Sequence, residues 1–486
     1  MRIKSILRML SAILMIVSLF MLACAVLSVF EREAVRTTLS LAVSAAMGIG
    51  FFLIMLLVTR KDEKPFLTNR DGFLLVTMSW VFASALGALP FVISKFIPSY
   101  VDAFFETMSG FTTTGSSILT DIEALPHSLL LWRATTHWLG GMGIVVLLVA
   151  VLPALGFSAI RAMEAEAPGP SVDRITPHIS STAKMLWLIY LGLTIAQIVL
   201  LILGGMTLFD AVCHSFATMA TGGFSTKNTS VAYFNSGFID WVTTIFMFLA
   251  GTNFTLHYRL LTGKPRSLLK DTEFRVYFAI FTIASIAIGF DLLAHGNYAN
   301  FGESLRYSSF QVSSILTTTG FATADFAKWP TLSQTVLFIL MFIGGCAGST
   351  GGGIKVIRIV VLFKMALTEM RYVANPRGVY TIFLGSKALR KNVIYDIAAL
   401  VFLYFVFFFV SVIVIGFTGV DVVTNITAVI ANLGNIGPGL GKVGPVYNYA
   451  FFPWWAKIWL SFAMLVGRLE VYTVLVLFSK KFWRSF

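Results

Sequence analysis

Ten long apolar stretches alternate with shorter polar connections along the chain of 486 residues. Each stretch has about 20 residues or more, which is the length that an α-helix needs to cross the hydrocarbon core of a bilayer. The pattern predicts membrane spans at residues 7–30, 39–59, 72–94, 130–153, 184–206, 237–258, 275–295, 333–363, 392–417 and 455–478. We therefore expect an all-α polytopic membrane protein with ten transmembrane helices.

Four further apolar stretches are too short to cross a bilayer, and each lies between two predicted spans. They cover residues 101–111, 209–219, 303–316 and 422–433. Such lengths are typical of re-entrant helices, which enter and leave the membrane on one side. An acidic residue stands at or near the start of each stretch: Asp102, Asp210, Glu303 and Asp421. These acids either cap the helix N-termini or make the outer mouth of a pathway negative.

A glycine loop follows each short stretch, and the four loops are similar. They read Thr112-Thr113-Thr114-Gly115-Ser116, Ala220-Thr221-Gly222-Gly223-Phe224, Thr317-Thr318-Thr319-Gly320-Phe321 and Asn435-Ile436-Gly437-Pro438. The aligned glycines are 108, 97 and 117 residues apart (223−115, 320−223, 437−320). The unit of span, short helix, loop and span therefore occurs four times after a two-span preface. The fourth copy is looser, because Asp421 precedes Gly437 by 16 residues whereas Asp102 and Asp210 precede their glycines by 13.

Four such loops would suit a cation filter. A short helix that enters from outside directs its C-terminal end, with about half a negative charge, at the membrane centre. Backbone carbonyls of the loops would replace the water around a cation, and glycine permits the backbone conformations required. Threonine hydroxyls either brace the loops or coordinate the ion. The predicted ion-site residues are Thr113, Thr114, Gly115, Thr221, Gly222, Gly223, Thr318, Thr319, Gly320, Asn435, Ile436 and Gly437. The alternative, ordinary packing motifs or turns, does not explain four copies in register.

The charge distribution predicts the orientation of the chain in the membrane. The net charge is +13, and 24 of the 36 lysines and arginines fall in six segments on one predicted side: 1–8, 60–70, 153–184, 259–275, 364–391 and 479–486. Positive residues concentrate in cytoplasmic connections of membrane proteins. Both termini are therefore expected in the cytoplasm and the four glycine loops toward the outside. This asymmetry explains the positive charge without nucleic acid as a partner.

The eighth span contains six glycines within ten residues, Gly344, Gly345, Gly348, Gly351, Gly352 and Gly353. A continuous helix is not expected there, because each glycine costs about 1 kcal/mol relative to alanine. We call residues 344–353 the glycine-rich segment and predict that it is a gate below the filter. The alternative is a kink that lets helices pack closely.

Charged residues near this segment have two interpretations. Arg468, inside the last span, either faces the pathway and holds the gate or pairs structurally with a distant acid or loop carbonyls. Lys355 and Arg358 would anchor a helix at the inner interface. His137 is expected to be a packing residue with its hydrogen bonds satisfied, and Cys24, Cys213 and Cys346 show no metal-site spacing. No convergent acids, histidines or nucleophile indicate an enzyme, and no nucleotide-binding motif is present.

With these loops, the two-span preface and the run Asn435-Ile436-Gly437-Pro438-Gly439, the chain resembles the Trk/Ktr/HKT superfamily of potassium transporters, in its TrkH/TrkG branch. The resemblance implies a pseudo-fourfold pore, a homodimer with one pore per protomer, and a gate loop in the third repeat. It also implies potassium, with rubidium, as the ion bound in the filter, and a bacterial inner membrane location. A cytoplasmic TrkA-type nucleotide-binding regulatory subunit would dock on the inner loops. Gly115 favours potassium, since sodium-permeable members often carry serine there.

The repeats divide the chain into five expected parts: a preface at 1–65 and pore repeats at 66–160, 161–265, 266–375 and 376–486. Transport could be channel-like and gated, or coupled to protons or sodium. A sodium-permeable member of the same superfamily is the second possibility. A membrane enzyme lacks the necessary cluster of residues, and a scaffold or sensor would not need four filter loops.

Overall fold

The computed structural model describes residues 3–59, 68–143, 179–385 and 387–483. The predicted basic connections within 60–67 and 153–178, and the end of the fourth predicted span, lie outside this part of the chain. The first half contains α1 (Ile3–Phe30), α2 (Val35–Val58), α3 (Asn69–Ser94), α4 (Tyr100–Phe111), α5 (His127–Gly141), α6 (Ile179–Leu203), α7 (Leu208–Met219), α8 (Gly237–Ala250) and α9 (Phe254–Leu261).

The second half contains α10 (Arg266–Lys270), α11 (Thr272–Ala294), α12 (Phe301–Leu316), α13 (Thr331–Leu340), α14 (Val356–Ala374), α15 (Lys391–Gly416), α16 (Val422–Leu433), α17 (Trp454–Leu475) and α18 (Lys480–Trp483). Short 3₁₀ turns lie at Ser230–Phe234, Phe326–Lys328, Gly441–Val443 and Val476–Phe478. A small antiparallel hairpin pairs β1 (Phe383–Leu384) with β2 (Lys387–Ala388). The described chain is thus overwhelmingly helical.

Seven described helices are long and apolar enough to cross a membrane: α1, α2, α3, α6, α11, α15 and α17. An eighth span forms if α8 and α9 are taken together, although they are bent by 101°. The bend lies at 251–253, where the Asn253 side chain accepts the N–H of Thr255 at 2.8 Å and starts a new helix. The chain is therefore a helical membrane protein. The predicted span 237–258 is not one straight helix.

The glycine-rich segment interrupts the predicted span 333–363. Helix α13 ends at Leu340 and α14 begins at Val356, so the fifteen residues between them are not helical. An isolated parallel bridge joins Ile343 to Ile354 across this interval. The predicted break is confirmed, and the interval folds back on itself rather than continuing the helix axis.

The four short helices α4, α7, α12 and α16 pack deep among the longer ones. Helix α4 contacts α3, α5 and α17, while α7 contacts α5, α6 and α8. Helix α12 contacts α8, α11 and α13, and α16 contacts α15 and α17. Because α17 contacts α4 as well as α3, the last long helix returns to the first short one. The preface lies on the side of α3 and α5, which α1 contacts.

Candidate ion site and glycine-rich segment

All four short helices end in the same left-handed turn. The second residue after each helix has positive φ, with values of 54° at Thr113, 54° at Thr221, 61° at Thr318 and 56° at Asn435. In each turn the next N–H donates at 2.8 Å to the carbonyl five residues earlier, from Thr114, Gly222, Thr319 and Ile436. This pattern is the Schellman motif, which normally has glycine at the left-handed position. Left-handed geometry costs a residue with a side chain about 1–2 kcal/mol. Three of these turns therefore hold strained threonines, and such strain concentrates at functional sites.

The glycines two positions further on bring the loops into direct contact. Their φ values are 83° at Gly115, 82° at Gly223, 84° at Gly320 and 96° at Gly437. A Cβ atom added to any of them would lie closer than 3.0 Å to a carbonyl oxygen of another loop. The facing oxygens, in the same order, belong to Gly222, Thr319, Ile436 and Thr114. We call residues 112–117, 220–225, 317–322 and 434–439 loops 1 to 4. Their contacts run from 1 to 2, 3, 4 and back to 1, and form a closed ring.

Threonine side chains connect loops 1 and 3 to the helices that precede them. The Thr112 hydroxyl donates to Met108 O at 2.6 Å and lies 2.8 Å from Thr114 Oγ1. Thr317 and Thr319 repeat this arrangement in loop 3, with their hydroxyls 2.7 Å apart. Asn435 links loops 4 and 1, because its Nδ2 donates to Thr114 Oγ1 at 2.9 Å. For Thr114 and Thr319, the bracing role is therefore the one that the geometry favours.

Other oxygens at the ring differ in their partners. The Gly437 carbonyl accepts from the Tyr449 hydroxyl at 2.8 Å and from Ser116 Oγ at 3.2 Å. Thr113 Oγ1 and Asn435 Oδ1 are buried and have no hydrogen-bond partner among the described residues. Loop 4 is thus held by hydroxyls at its glycine carbonyl. The structure brings all twelve predicted ion-site residues to this ring, and whether they coordinate an ion stays a prediction.

The acids at the starts of the short helices are mostly not the caps. The capping side chains are Ser99, Thr207, Asn300 and Asp421, and each accepts the N–H three residues later. Asp102, Asp210 and Glu303 occupy that third position instead. The first three caps were not predicted, although Ser, Thr and Asn three residues before an acid are a recognisable start signal. Because the N–H of Thr424 donates to Asp421, it holds the pKa of the Asp421 carboxyl below its ordinary value.

The correct caps also change the comparison of the four copies. Sixteen residues separate Ser99 from Gly115, Thr207 from Gly223 and Asp421 from Gly437, whereas twenty separate Asn300 from Gly320. The expectation that loop 4 has the looser spacing is therefore wrong, although Asn435-Ile436 does replace the Thr-Thr pair there. It compared a cap, Asp421, with acids one turn inside their helices. The third copy is the different one, since α12 has 16 residues and the other three short helices have 12.

Two charged residues beside loop 1 were not singled out in the sequence. Glu106 on α4 and Arg133 on α5 form an ion pair with a distance of 2.7 Å, and their side chains are only 1% and 3% exposed. The available signal was an acid inside a short helix with a base inside the span that follows, because such charges rarely occur unpaired. His137, on the same face of α5 as Arg133, bridges Gly110 O at 2.7 Å and the N–H of Phe224 at 3.2 Å. Its hydrogen bonds are satisfied, as expected.

The glycine-rich segment lies directly against two of the loops. Gly352 N–H donates to Thr318 Oγ1 at 2.7 Å. A Cβ on Gly352 would be 2.6 Å from Gly434 O, and a Cβ on Gly351 would be 3.1 Å from Thr317 O. At its other end, Cys346 N–H donates to Gly251 O at 2.8 Å. The glycines thus allow the segment to sit between the break of α8–α9 and the ends of α12 and α16.

Arg468 ties this segment to a neighbouring helix. Its Nη1 donates to Thr350 O at 2.6 Å, and its Nη2 donates to Gly140 O and Gly141 O at 2.7 and 2.8 Å. The last two carbonyls belong to the C-terminal end of α5, where a positive charge is favoured. Arg468 therefore holds the segment, and it does so through carbonyls.

Lys355 and Arg358 are not anchors at a membrane surface. They are 3% and 4% exposed, so both are inside the protein. Lys355 Nζ donates to Gly351 O and also to Gly352 O, the latter at 3.4 Å. Arg358 pairs with Glu470 at 2.6 Å. Glu470 has φ 63° and ψ 149°, so the predicted continuous span 455–478 is interrupted there.

Glu273 connects the same segment to the first turn of α14. Its Oε1 accepts the N–H of Ala347 at 2.8 Å and the N–H of Ile357 at 3.0 Å. This contact is not predictable from the sequence, because Glu273 lies 74 positions before Ala347 in the chain. The segment is thus fixed by one carboxylate, one ammonium group and one guanidinium group, all of which bind its backbone.

Comparisons with known proteins agree with this architecture. The family TrkH, described as a cation transport protein, matches residues 43–485. The Trk system potassium uptake protein TrkH of Escherichia coli strain K12 is 40% identical over 493 residues and covers all of both chains. The Trk system potassium uptake protein TrkI of Halomonas elongata is 34% identical, with 99% of this chain and 97% of that protein covered. The crystal structure of the potassium transporter TrkH from Vibrio parahaemolyticus matches with a TM-score of 0.88, 38% identity and full coverage of both chains. The chain therefore belongs to the TrkH family of cation transport proteins and is a transport protein, not an enzyme.

Proposed function

We propose that this protein is the potassium-translocating subunit of a bacterial Trk-type potassium uptake system. The observation that carries the proposal is the closed ring of four loops with one backbone conformation. Four like carbonyl-rich turns around one axis suit a spherical cation that has shed its water. The names of the relatives, all potassium uptake proteins, make potassium the ion to test first.

The proposed architecture has ten transmembrane helices. The long described helices supply seven of them, and the broken pairs α8–α9 and α13–α14 and the predicted span 130–153, of which the structure describes residues 130–143, supply three more. The proposed units are the preface at 1–65 and pore repeats at 66–160, 161–265, 266–375 and 376–486. The identical turns after α4, α7, α12 and α16 support a common unit, because each lies at the same place in its repeat.

The proposed filter selects potassium, and with it rubidium, through backbone oxygens of the four loops. The C-terminal ends of four short helices point their partial negative charges at the ring. Selectivity of this kind needs oxygens held at fixed positions, and the strained threonines and glycine contacts supply that rigidity. Thr113 Oγ1, buried and without a partner among the described residues, is a further candidate ligand.

The proposed gate is the glycine-rich segment, with Gly344, Gly345, Gly348, Gly351, Gly352 and Gly353 as its flexible positions. Its contact with Thr318 and Gly434 supports a position just below the ring. Arg468 would hold it closed and place a positive charge against passing cations. Opening would require the hydrogen bonds from Arg468 and Lys355 to break together.

The proposed setting is the bacterial inner membrane with both termini in the cytoplasm. A homodimer, and a cytoplasmic TrkA-type nucleotide-binding subunit on the basic inner loops, belong to the same proposal. The charge asymmetry supports the orientation. The alternative function is a sodium-permeable protein, or a symporter that couples potassium to protons or sodium.

The deciding experiment measures ion flux through the purified protein in proteoliposomes. We expect potassium and rubidium flux well above sodium flux, and no need for a proton or sodium gradient. Sodium flux equal to potassium flux would favour the sodium-permeable alternative. Potassium movement only with a proton or sodium gradient would favour the symporter, and the absence of all three fluxes from folded protein would overturn the proposal.

A further inference from the structure

The buried pair Glu106–Arg133 lies between loops 1 and 2. Glu106 is on α4, nine residues before Gly115, and its carboxylate accepts three hydrogen bonds. The donors are Ser117 Oγ at 2.9 Å, the N–H of Ile118 at 2.9 Å and Arg133 Nε at 2.7 Å. The first two donors belong to Ser117 and Ile118, which lie two and three residues after Gly115. Glu106 therefore fixes the outgoing half of loop 1 to the helix that precedes it.

Arg133 makes the connection to the next loop. Its Nη1 donates to Ser225 O at 2.9 Å, and its guanidinium lies 3.5 Å from the centre of the Phe224 ring. Both residues immediately follow Gly223. A planar guanidinium with a carboxylate on one edge, a carbonyl on another and an aromatic ring on its face has little freedom to move. Arg133 thus transmits the position of loop 1 to loop 2.

His137, one helical turn further along α5, makes a second connection between α4 and loop 2. Because the carbonyl of Gly110 can only accept, His137 Nδ1 must carry the proton, and Nε2 then accepts from the N–H of Phe224. The imidazole also lies against the Phe224 ring, with a centroid distance of 4.0 Å. One face of α5 therefore binds α4 and the outgoing half of loop 2, and it reaches the outgoing half of loop 1 through Glu106.

The other loops use uncharged residues at the position of Glu106. Nine residues before the glycines of loops 2, 3 and 4 stand His214, Gln311 and Ala428. His214 Nε2 accepts from Ser225 Oγ at 2.9 Å, and Gln311 Nε2 lies 3.4 Å from Thr323 Oγ1. These two side-chain hydrogen bonds stay within one repeat, although the His214 ring also stacks on the Phe321 ring of loop 3 at a centroid distance of 5.7 Å. The first copy is thus the one of the four that places a carboxylate there, together with a guanidinium that reaches a second loop.

We propose that Glu106 and Arg133 are positioning residues that set the spacing of loops 1 and 2 and thereby the selectivity for potassium over sodium. The proposal rests on the function proposed above. It also predicts in which direction the loss of each partner changes the affinity for the cation. The pair is neutral as a whole, so it brings no net charge close to the cation pathway. Removal of either partner leaves a buried, uncompensated charge beside the loops. An unpaired Arg133 would repel a cation, and an unpaired Glu106 would attract one.

The test compares Glu106→Gln, Arg133→Gln and the double variant in proteoliposomes, with potassium and sodium flux measured over a range of concentrations. Glu106→Gln should raise the half-saturating potassium concentration by roughly three- to tenfold, which is the effect of one partly shielded charge. Arg133→Gln should leave that concentration unchanged or lower it. Both should reduce the ratio of potassium to sodium flux. The double variant should return the half-saturating concentration toward the original value, while the ratio stays low because the brace is still missing.

Glu33→Gln is the matched control. Glu33 lies between α1 and α2, and its carboxylate accepts the N–H of Ser128 on the first turn of α5 at 2.9 Å. The same substitution there removes a carboxylate that binds α5 without contact to one of the four loops. It should leave both half-saturation and selectivity unchanged. If Glu106→Gln does not fold, Glu106→Asp keeps the charge but shortens its reach, and should reduce only the selectivity.

The outcomes separate this proposal from the one on which it rests. Unchanged selectivity in folded Glu106→Gln and in the double variant would overturn the positioning role. Equal shifts of half-saturation in the two single variants would overturn the electrostatic part. If the unaltered protein carries no potassium, the proposed function fails instead.

Discussion

Single residues at the ring have little room for change. Gly115, Gly223, Gly320 and Gly437 combine positive φ with a neighbouring carbonyl at the place where Cβ would be. A side chain is therefore excluded twice, by backbone conformation and by contact. Two positions earlier, three threonines and Asn435 adopt the left-handed backbone conformation. The conformational strain is offset by the Schellman hydrogen bonds of each turn.

The change Gly115→Ser should weaken selectivity for potassium over sodium. Serine at a φ of 83° is strained, and its Cβ must displace the carbonyl of Gly222. We expect a lower ratio of potassium to sodium flux in proteoliposomes. Gly205→Ser is the control, because Gly205 also has positive φ, 97°, but open space around its Cβ position. A ratio that is equally low in both variants, or unchanged in Gly115→Ser, would contradict the prediction.

The sequence predicts the ring residues because glycine and threonine recur in register. It does not predict left-handed threonines, because local propensity opposes that conformation and only the surrounding packing enforces it. It also misses Glu106 and Arg133, which are 27 residues apart and meet only through the packing of α4 on α5. Glu273 is missed for the same reason. Pairings across helices depend on three-dimensional contacts that periodicity does not encode.

Among the elements, the short helices depend on good N-terminal caps. Asp421 Oδ2 accepts the N–H of Thr424 at 2.9 Å, and Oδ1 accepts the hydroxyl of the same residue at 2.7 Å. The change Asp421→Ala should destabilise the protein by about 1 kcal/mol, the usual value of a cap. Asp421→Asn retains an acceptor and should cost less. Thermal unfolding in detergent measures both, and equal stability of Asp421→Ala and the unaltered protein would contradict the capping role.

The same cap has a defined pH dependence. The pKa of Asp421 is lower in the folded protein than in the unfolded chain, so the unfolded state binds the proton more tightly. The stabilisation is therefore complete above the unfolded pKa and is lost as the pH falls through the folded pKa. The difference in stability between the unaltered protein and Asp421→Ala should shrink in acid.

The glycine-rich segment should lose its contact with loop 4 when Gly352 gains a side chain. The Cβ of Gly352→Ala would be 2.6 Å from Gly434 O and 2.8 Å from Asn435 Cβ, so the segment must move away from the ring. We expect higher potassium flux than in the unaltered protein. Gly192→Ala in α6, where nothing lies within 4 Å of the new atom, should behave like the unaltered protein. Lower flux in folded Gly352→Ala would argue against a gate.

Loss of the hydrogen bonds that hold the glycine-rich segment should also raise the potassium flux. The change Arg468→Ala eliminates the hydrogen bonds to Thr350, Gly140 and Gly141, and deletion of residues 345–353 removes the segment itself. Both should raise flux in proteoliposomes if the segment restrains the pathway. Flux in folded Arg468→Ala that is equal to or lower than in the unaltered protein would show that Arg468 has only a structural role.

Apolar length predicts where helices lie better than whether they are continuous. The ends of the short helices at Phe111, Met219, Leu316 and Leu433 agree with the predicted stretches. The break at 251–253 had a signal in its glycine and asparagine, but hydropathy alone spans it. The interruption at Glu470 had no local signal. It is associated with the ion pair to Arg358, which comes from another helix.

For the whole molecule, the proposed orientation can be tested with cysteine labelling. Cys24, Cys213 and Cys346 are all buried, so they give little background. Val446, between α16 and α17, is 55% exposed, and Val379, between α14 and α15, is 93% exposed. A membrane-impermeant thiol reagent added to intact cells should label Val446→Cys and not Val379→Cys. After the membrane is opened, both should react, and the reverse pattern in intact cells would invert the proposed topology.

In the proposed pore, the extra turn of α12 makes the outer rim of the ring uneven. Its four additional residues, at 1.5 Å each, extend that helix about 6 Å beyond the other three. One quadrant of the rim therefore stands higher than its neighbours. A planar blocker with fourfold symmetry cannot contact all four quadrants equally. An inhibitor shaped as a wedge, with its thin edge over α12, would fit this rim better than a disc.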